Sequence, residues 1–262
     1  MKIWKFRTEV DPVSWFAELV GRGRSRAPGK FAVVEAASTA PTADVRFAPT
    51  YDLAATGRYL HLPASTVRNW FCGANGRPQV LDRADPELPF VSFIGLTEAH
   101  VLSSIRLIHR ISLQKIRGAV DYLQETLGSE HPLLEFKFKT DGVDLFVEEL
   151  GHLLNASKSG QAAMREIVEL YLERIDWDDR HLPRRLYPFS QSDRGTDPRA
   201  IVIDPNVSFG RPTIASSGVT TAAVAERFKA GESVASLAGD FGSTTAEIEA
   251  AIRSELDLDI AA

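Results

Sequence analysis

The sequence predicts a mainly α-helical protein with small β elements, in which two helix-turn-helix-like units are joined by a helical middle. Three observations carry this. From Tyr51 onward, apolar residues recur at helical spacing in segment after segment. Only short β-branched or alternating runs interrupt them. Twice, two short helical segments are separated by a few residues carrying a turn signal, His61-Leu62-Pro63 and Phe241-Gly242-Ser243.

At 262 residues the chain exceeds one typical domain. We divide it into an N-terminal extension (1–48), a first helix-turn-helix with wing and helices (49–128), a hairpin, long helix and linker (129–199), and a C-terminal three-helix unit (200–262). The formal charge of -5 means that no global basic field advertises nucleic acid, so any DNA contact must come from a local patch. The single cysteine, Cys72, excludes an internal disulfide and suits a reducing cytoplasm. No apolar run approaches the ~18–20 residues that span a bilayer, and the N-terminus lacks a signal-peptide core, so a cytoplasmic protein is expected.

In the extension, Val13–Val20 has amphipathic spacing through Trp15, Phe16, Leu19 and Val20, and Arg22, Arg24, Arg26 and Lys30 follow it. Gly23–Lys30 is not a phosphate-binding loop: it has one residue too many between the glycines, and Phe31 stands where a magnesium-binding hydroxyl is needed. The segment reads as a flank of the next unit or as a basic arm.

The first unit opens at Tyr51, with Asp52 as a helix cap and Gly57 allowing a second helix to approach closely. After His61-Leu62-Pro63 the second helix runs to Phe71. It is expected to bury Val67 and Trp70 and to expose Thr66, Arg68 and Asn69. A guanidinium suits guanine edges or phosphate, and an amide suits adenine or phosphate. Asn75-Gly76 is a hairpin-type turn, and the strand-like stretch from Pro89 could pair with it as a wing that carries Arg77 near the phosphates. The DNA-binding candidates are therefore Thr66, Arg68, Asn69 and Arg77; a surface loop and a plain bundle are the alternatives.

A helix from Leu96 carries Ala99, Leu102, Ile105 and Ile108. Another, capped by Ser112, places Ile116, Ala119, Val120, Leu123 and Leu127 on a stripe that is either core or dimer interface. Phe136–Val147 alternates around Thr140-Asp141-Gly142 and reads as a β-hairpin. Gln161–Ile175 is the most strongly patterned helix, with Met164, Ile167, Val168, Tyr171, Leu172 and Ile175 inward. The proline- and charge-rich run from His181 to Arg199 reads as a linker.

In the C-terminal unit, Ile201-Val202-Ile203 is a short strand ended by Asp204-Pro205, and Phe209-Gly210-Arg211-Pro212 is a tight loop. Three helices follow. The first is led by Thr220 or Thr221, carries Val224 and Phe228 inward, and closes at Gly231. The second is capped by Ser233 and closed by Gly242. The third opens with a Thr244/Glu247 capping box and buries Ile248, Ala251, Ile252 and Leu256. Its outward Thr245, Glu249 and Arg253 make a poor phosphate surface, because carboxylates repel the backbone. A small bundle without nucleic acid and a DNA reader both remain open.

No catalytic pattern is found. The histidines His61, His100, His109, His131, His152 and His181 have no metal-ligand spacing, and the adjacent pairs Glu148-Glu149 and Asp178-Asp179 point apart on regular elements. No nucleophile elbow is present, and Cys72 has no obvious base. We expect no enzyme activity, no metal and no cofactor.

The run IDPNVSFGRPTI followed by TTAAVAERFKAGESVASLAGDFG, Ile203–Gly242, resembles a family once catalogued only as a domain of unknown function, whose members look like VapB-type antitoxins encoded beside a PIN-like ribonuclease toxin. The segment YDLAATGRYLHLPASTVRNW resembles the N-terminal helix-turn-helix of MerR-like regulators, with His61 where glycine is common. The resemblance covers roughly Tyr51–Leu256. It implies an antitoxin that binds operator DNA for autoregulation as a homodimer and neutralises the ribonuclease, away from membranes. The alternative it leaves is a stand-alone MerR-like transcription regulator. Such nucleases hold magnesium with carboxylates, so an inserted arginine could displace the metal. Arg184, Arg185 and Arg211 are the toxin-binding candidates, chosen on charge alone.

Overall fold

The Asp52 carboxylate accepts a hydrogen bond from the Ala55 amide at 2.6 Å and so fixes where the first helix begins. Strand β1 (Tyr51–Asp52) passes through this cap into α1 (Leu53–Tyr59), and α2 (Ala64–Cys72) follows after a short turn. A Cβ on Gly57 would come within 2.8 Å of the Leu62 carbonyl oxygen and 3.5 Å of Val67, so the close approach read from this glycine is present. The turn places His61 at φ 52°, the left-handed region expected of glycine, and its Nε2 lies 2.9 Å from the Phe189 carbonyl oxygen.

β2 (Phe90–Val91) pairs antiparallel with β1, Tyr51 opposite Val91. This corrects the expected wing: the strand does not pair with the 74–77 turn, because buried Val91 belongs beside Tyr51 in the core. From here the chain enters α3 (Phe93–His109), three residues before the expected start, with the Ser92 hydroxyl accepting from the Gly95 amide at 3.0 Å. Every residue from Val91 to Ser104 is buried, which makes α3 a central helix. Its polar side chains are satisfied internally: Thr97 donates to the Phe93 carbonyl and Ser104 to the Val101 carbonyl.

Next come α4 (Leu113–Leu127), α5 (Val143–Leu154) and α6 (Lys158–Leu172): α6 packs on α3, and α5 lies between α6 and α4, all in one hydrophobic core. On α4, Ile116, Ala119, Val120 and Leu123 are buried within this one chain, so the stripe is core, and pairing two copies through it would require opening that core. The hairpin read over Phe136–Val147 is corrected from Val143 on. Val143, Phe146, Val147 and Leu150 form a buried helical face, and a short alternating run fits that period as well as it fits a strand. Residues 136–141 lie outside the described residues. α6 ends at Leu172, and Ile175 belongs to β3 (Ile175–Trp177).

β3 pairs antiparallel with β4 (Pro183–Leu186), which lies inside the run read as a linker. Leu186 and Ile203 exchange both backbone hydrogen bonds, at 3.0 and 2.8 Å, so β4 also bridges toward the C-terminal unit. There β5 (Ile201–Val202) pairs antiparallel with β6 (Thr213–Ile214), ahead of α7 (Thr221–Lys229), α8 (Val234–Phe241) and α9 (Thr245–Ile260). The caps are those the sequence predicts: Thr220 on α7, Ser233 on α8, left-handed Gly242, and the reciprocal Thr244–Glu247 box. Ala200, Ile201, Ile214, Val224, Leu237, Ile248 and Ile252 make a second core, and α9 packs on α1. Phe228, expected inward, is exposed, since Val224 and Ala225 already face α9.

Among the described residues, nine α-helices and three two-stranded sheets make up the compact unit Ala43–Ala262. The structure is a computed structural model that describes residues 44–74, 76–109, 111–134, 142–154, 156–189 and 198–260. The Val13–Val20 helix and the basic run after it lie outside these residues.

One buried ion pair gives the core a pH dependence. Glu98 on α3, 1% exposed, lies 3.0 Å from His131 Nδ1. Burial pushes the Glu98 carboxyl up. Burial alone would lower His131, but the hydrogen bond and charge of Glu98 outweigh it and raise the imidazole above its ordinary value. Both folded values lie above the unfolded ones, so this pair stabilises most below the unfolded histidine value and loses that contribution as pH rises through the raised one. The unfolding temperature should fall as pH rises from the ordinary histidine value, about 6.5, through the raised one, and Glu98→Gln should flatten that slope. Thermal melts of both proteins across the window check it.

Candidate nucleic-acid interface and partner loop

Helical period counted from Trp70 sorts α2 into two arcs. Thr66, Val67, Trp70 and Phe71 point inward and are buried, while Ser65, Arg68 and Cys72 point outward. Thr66 was expected outside; it is 4% exposed because it stands one turn before Trp70 on the same face. Asn69 is half-buried at the edge of the arc. Ser65 shares the outward arc with Arg68, and the same count from Trp70 would have found it.

The chain after α2 folds back along it. The amides of Val80 and Leu81 both donate to the Trp70 carbonyl, at 2.7 and 3.1 Å. Gly73, at φ 72°, lies so close to the Arg77 carbonyl that a side chain there would collide with it. Arg77 is thus seated at the C-terminal end of α2 and is exposed. Arg117 of α4, not singled out from sequence, donates to the Pro78 and Gln79 carbonyls and pins this loop. No pattern in α4 signals that contact, because its partners are backbone oxygens distant in sequence.

Ion pairing separates the arginines. Among the described residues Arg68 and Arg77 have no carboxylate partner, whereas Arg46 is held by Asp44 and Asp178, and Arg253 by Glu249. In the C-terminal unit Arg227 bonds both Glu232 and Asp240, the latter at 2.6 Å, and lies 4.9 Å from the centre of the Phe241 ring. Those carboxylates raise Arg227, and its guanidinium holds Glu232 below the usual carboxylate range. The outward face of α9 therefore offers Thr245, Glu249 and an Arg253 already engaged, a poor fit to a phosphate backbone.

The three arginines first placed at a partner surface differ in the same way. Arg185 Nε donates to Asp204 at 2.9 Å, and Asp204 is 5% exposed, so this guanidinium compensates a buried carboxylate. Arg184 is exposed, without a carboxylate partner among the described residues. Arg211 is likewise exposed, in a loop where Ser208, Phe209 and Gly210 take φ values of 49°, 57° and 73° in succession. Left-handed backbone at a non-glycine residue costs about 1–2 kcal/mol. The loop holds it because Gly210 sits against the Tyr51 hydroxyl, where any side chain would collide, and Pro212 is buried. Burial pushes the Tyr51 phenol well up. No group of three or more metal-ligating side chains occurs among the described residues. No helix among them is long and apolar enough to cross a membrane.

Comparison with known proteins gives two domain matches. Residues 201–253 match a family described as "Protein of unknown function (DUF433)", and residues 49–120 one described as "Putative DNA-binding HTH domain". The chain is 31% identical over 237 residues to the Mycobacterium tuberculosis protein named "Putative antitoxin VapB45", spanning 80% of this chain and 95% of that protein. It is also similar to the crystal structure of Rv2018 from Mycobacterium tuberculosis, with a TM-score of 0.60 and 27% identity, covering 78% of this chain and 98% of that one.

The different standing of the arginines is measurable. Arg185→Ala strands the buried Asp204 carboxylate and should lower stability by about 1–3 kcal/mol. Arg184→Ala should change it by less than about 0.5 kcal/mol. Urea unfolding of the two variants checks this.

Proposed function

Since the chain belongs to the family of mycobacterial VapB45, we propose that it is the antitoxin of a type II toxin–antitoxin operon, binding its operator with residues 49–120 and holding a PIN-like ribonuclease with another surface. The observation that carries the DNA half is that, among the described residues, Arg68 and Arg77 at one helix have no carboxylate partner, in a chain of formal charge -5. Arg46, Arg165, Arg185, Arg199, Arg227 and Arg253 are held by carboxylates, whereas a guanidinium without one can release counterions from phosphate. Ser65 and Arg68 face the groove on the outward arc of α2, with Asn69 at its edge and Arg77 on the flanking backbone. Thr66 acts from the inside, shaping the helix rather than touching bases.

Two copies on adjacent half-sites are the arrangement such a reader needs. They meet through a surface other than the Ile116–Leu127 stripe, which the chain's own core occupies. The C-terminal unit is folded, acidic on its last helix and poor for DNA, which favours a protein partner there. Arg211 and Arg184 remain available to carboxylates of a nuclease, while Arg185 is committed to Asp204. The protein has no catalytic role of its own: its chemistry is recognition and blockade.

Removing the C-terminal unit is not a clean test, because Ile203 belongs to the larger core and would be stripped from it. Point variants of the full chain serve instead. Arg68→Ala should weaken binding to the intergenic DNA upstream of the operon by about 1–3 kcal/mol at one base pair if it reads a base edge. If it contacts phosphate, it should weaken all sequences alike and lower the salt slope by about 1. Arg77→Ala should show the phosphate pattern. Salt-titrated gel shifts measure both, with growth rescue against the adjacent gene product as the partner assay. DNA binding without rescue by the wild-type chain would leave a stand-alone regulator instead.

A further inference from the structure

Phe209 is 91% exposed, far more than any other large hydrophobic side chain among the described residues, of which the next is Phe47 at 42%. It is displayed by a fixed loop. The Val207 amide donates to the Asp204 carbonyl and the Gly210 amide to the Val207 carbonyl, each at 2.9 Å, and Asp204 is locked by Arg185. Gly210 rests on Tyr51, so the loop cannot roll the ring inward without displacing a core residue. Two non-glycine residues in left-handed backbone hold an apolar ring in water, an arrangement that does nothing for the stability of this chain. Strain that the surrounding structure maintains around an exposed aromatic side chain is a mark of recognition.

The surroundings decide what is recognised. Arg211 is exposed two residues on, and it acts on the Tyr59 phenol together with Arg58, Glu255 and Asp52. Two carboxylates against two guanidinium groups leave no net basic field, so a polyphosphate gains little at this loop. An aromatic residue next to an arginine is, by contrast, the usual make-up of an anchor at a protein interface. We propose that Phe209 is the anchor of the partner interface: its ring enters an apolar pocket of the neutralised ribonuclease, and a carboxylate on the pocket rim takes Arg211. This rests on the antitoxin reading above.

The test uses the full-length chain and the purified product of the adjacent gene. Phe209→Asn removes the ring but keeps a residue that tolerates left-handed backbone. It should weaken binding by at least about 30-fold, the scale of an interface anchor, while melting temperature and operator affinity stay as in the wild type. Phe209→Tyr should restore most of the affinity. If wild type binds and Phe209→Asn binds within about threefold of it, the anchor is elsewhere and the antitoxin reading stands without this inference. A wild-type chain that fails to bind the adjacent product overturns both. Loss of operator affinity with partner binding intact would make the loop a nucleic-acid contact and overturn the proposal.

Discussion

The buried guanidinium of Arg174 is what the rest of the structure depends on. It is 5% exposed and donates to the carbonyls of Tyr187, Pro188 and Pro198, while the Tyr187 amide donates back to the Arg174 carbonyl at 2.9 Å. Proline supplies a carbonyl but no amide proton, so Pro188 and Pro198 cannot take part in a reciprocal ladder and their carbonyls need a donor from elsewhere. Here one cation collects them. The same segment reaches the first helix-turn-helix through His61, whose Nε2 lies 2.9 Å from the Phe189 carbonyl oxygen. It reaches the central helix through the Phe189 ring, which stacks on His100 at 5.8 Å and meets Tyr171 at 4.8 Å. The turn between α1 and α2, the core helix and the C-terminal strands are therefore joined at residues 186–189.

This explains why a histidine stands at the turn between α1 and α2. Glycine enters left-handed backbone at no steric cost, but it contributes no side chain. His61 accepts the strained φ and in return ties the turn to the body of the protein. The angle between α1 and α2 is thus set by the rest of the chain as well as by the close contact at Gly57.

Legibility followed the range of the interactions. Caps and glycine stops are decided within four residues, and the C-terminal unit was readable almost to the residue for that reason. Gly57 and the inward stripe of α4 were readable too, although periodicity could not say whether that stripe met the chain's own core or a second copy. Val143–Val147 was misread because five residues satisfy both periods. Thr66 was misplaced by taking its polarity as a guide to exposure. The segment from His181 to Phe189 reads as a linker because its order comes from Arg174, His61 and Ile203, which no local pattern reveals. In the candidate interface, Arg68 and Arg77 were legible as residue types; their lack of partners, and the pinning of the loop by Arg117, were not.

That last distinction bears on how an acidic protein can offer a surface to DNA. Net charge governs the far field, which salt screens beyond about 8–10 Å. At contact, only unpaired groups count. Arg165 is taken by Asp144, Arg199 by Asp176, Arg227 by Glu232 and Asp240, and Arg46 by Asp44 and Asp178. Each such pair is nearly neutral to an approaching phosphate, whatever it adds to stability. The carboxylates that make the chain acidic are thus partly silenced by the arginines they hold, and the exposed guanidinium groups left over act locally with little opposition. A helix bearing one of them, with a second seated at its end, can meet a phosphate backbone. A helix whose arginine is paired at 3.7 Å with its own Glu249 cannot do so without first breaking that pair. The two helical units thus differ less in their helices than in whether the arginine each turns outward is already paired.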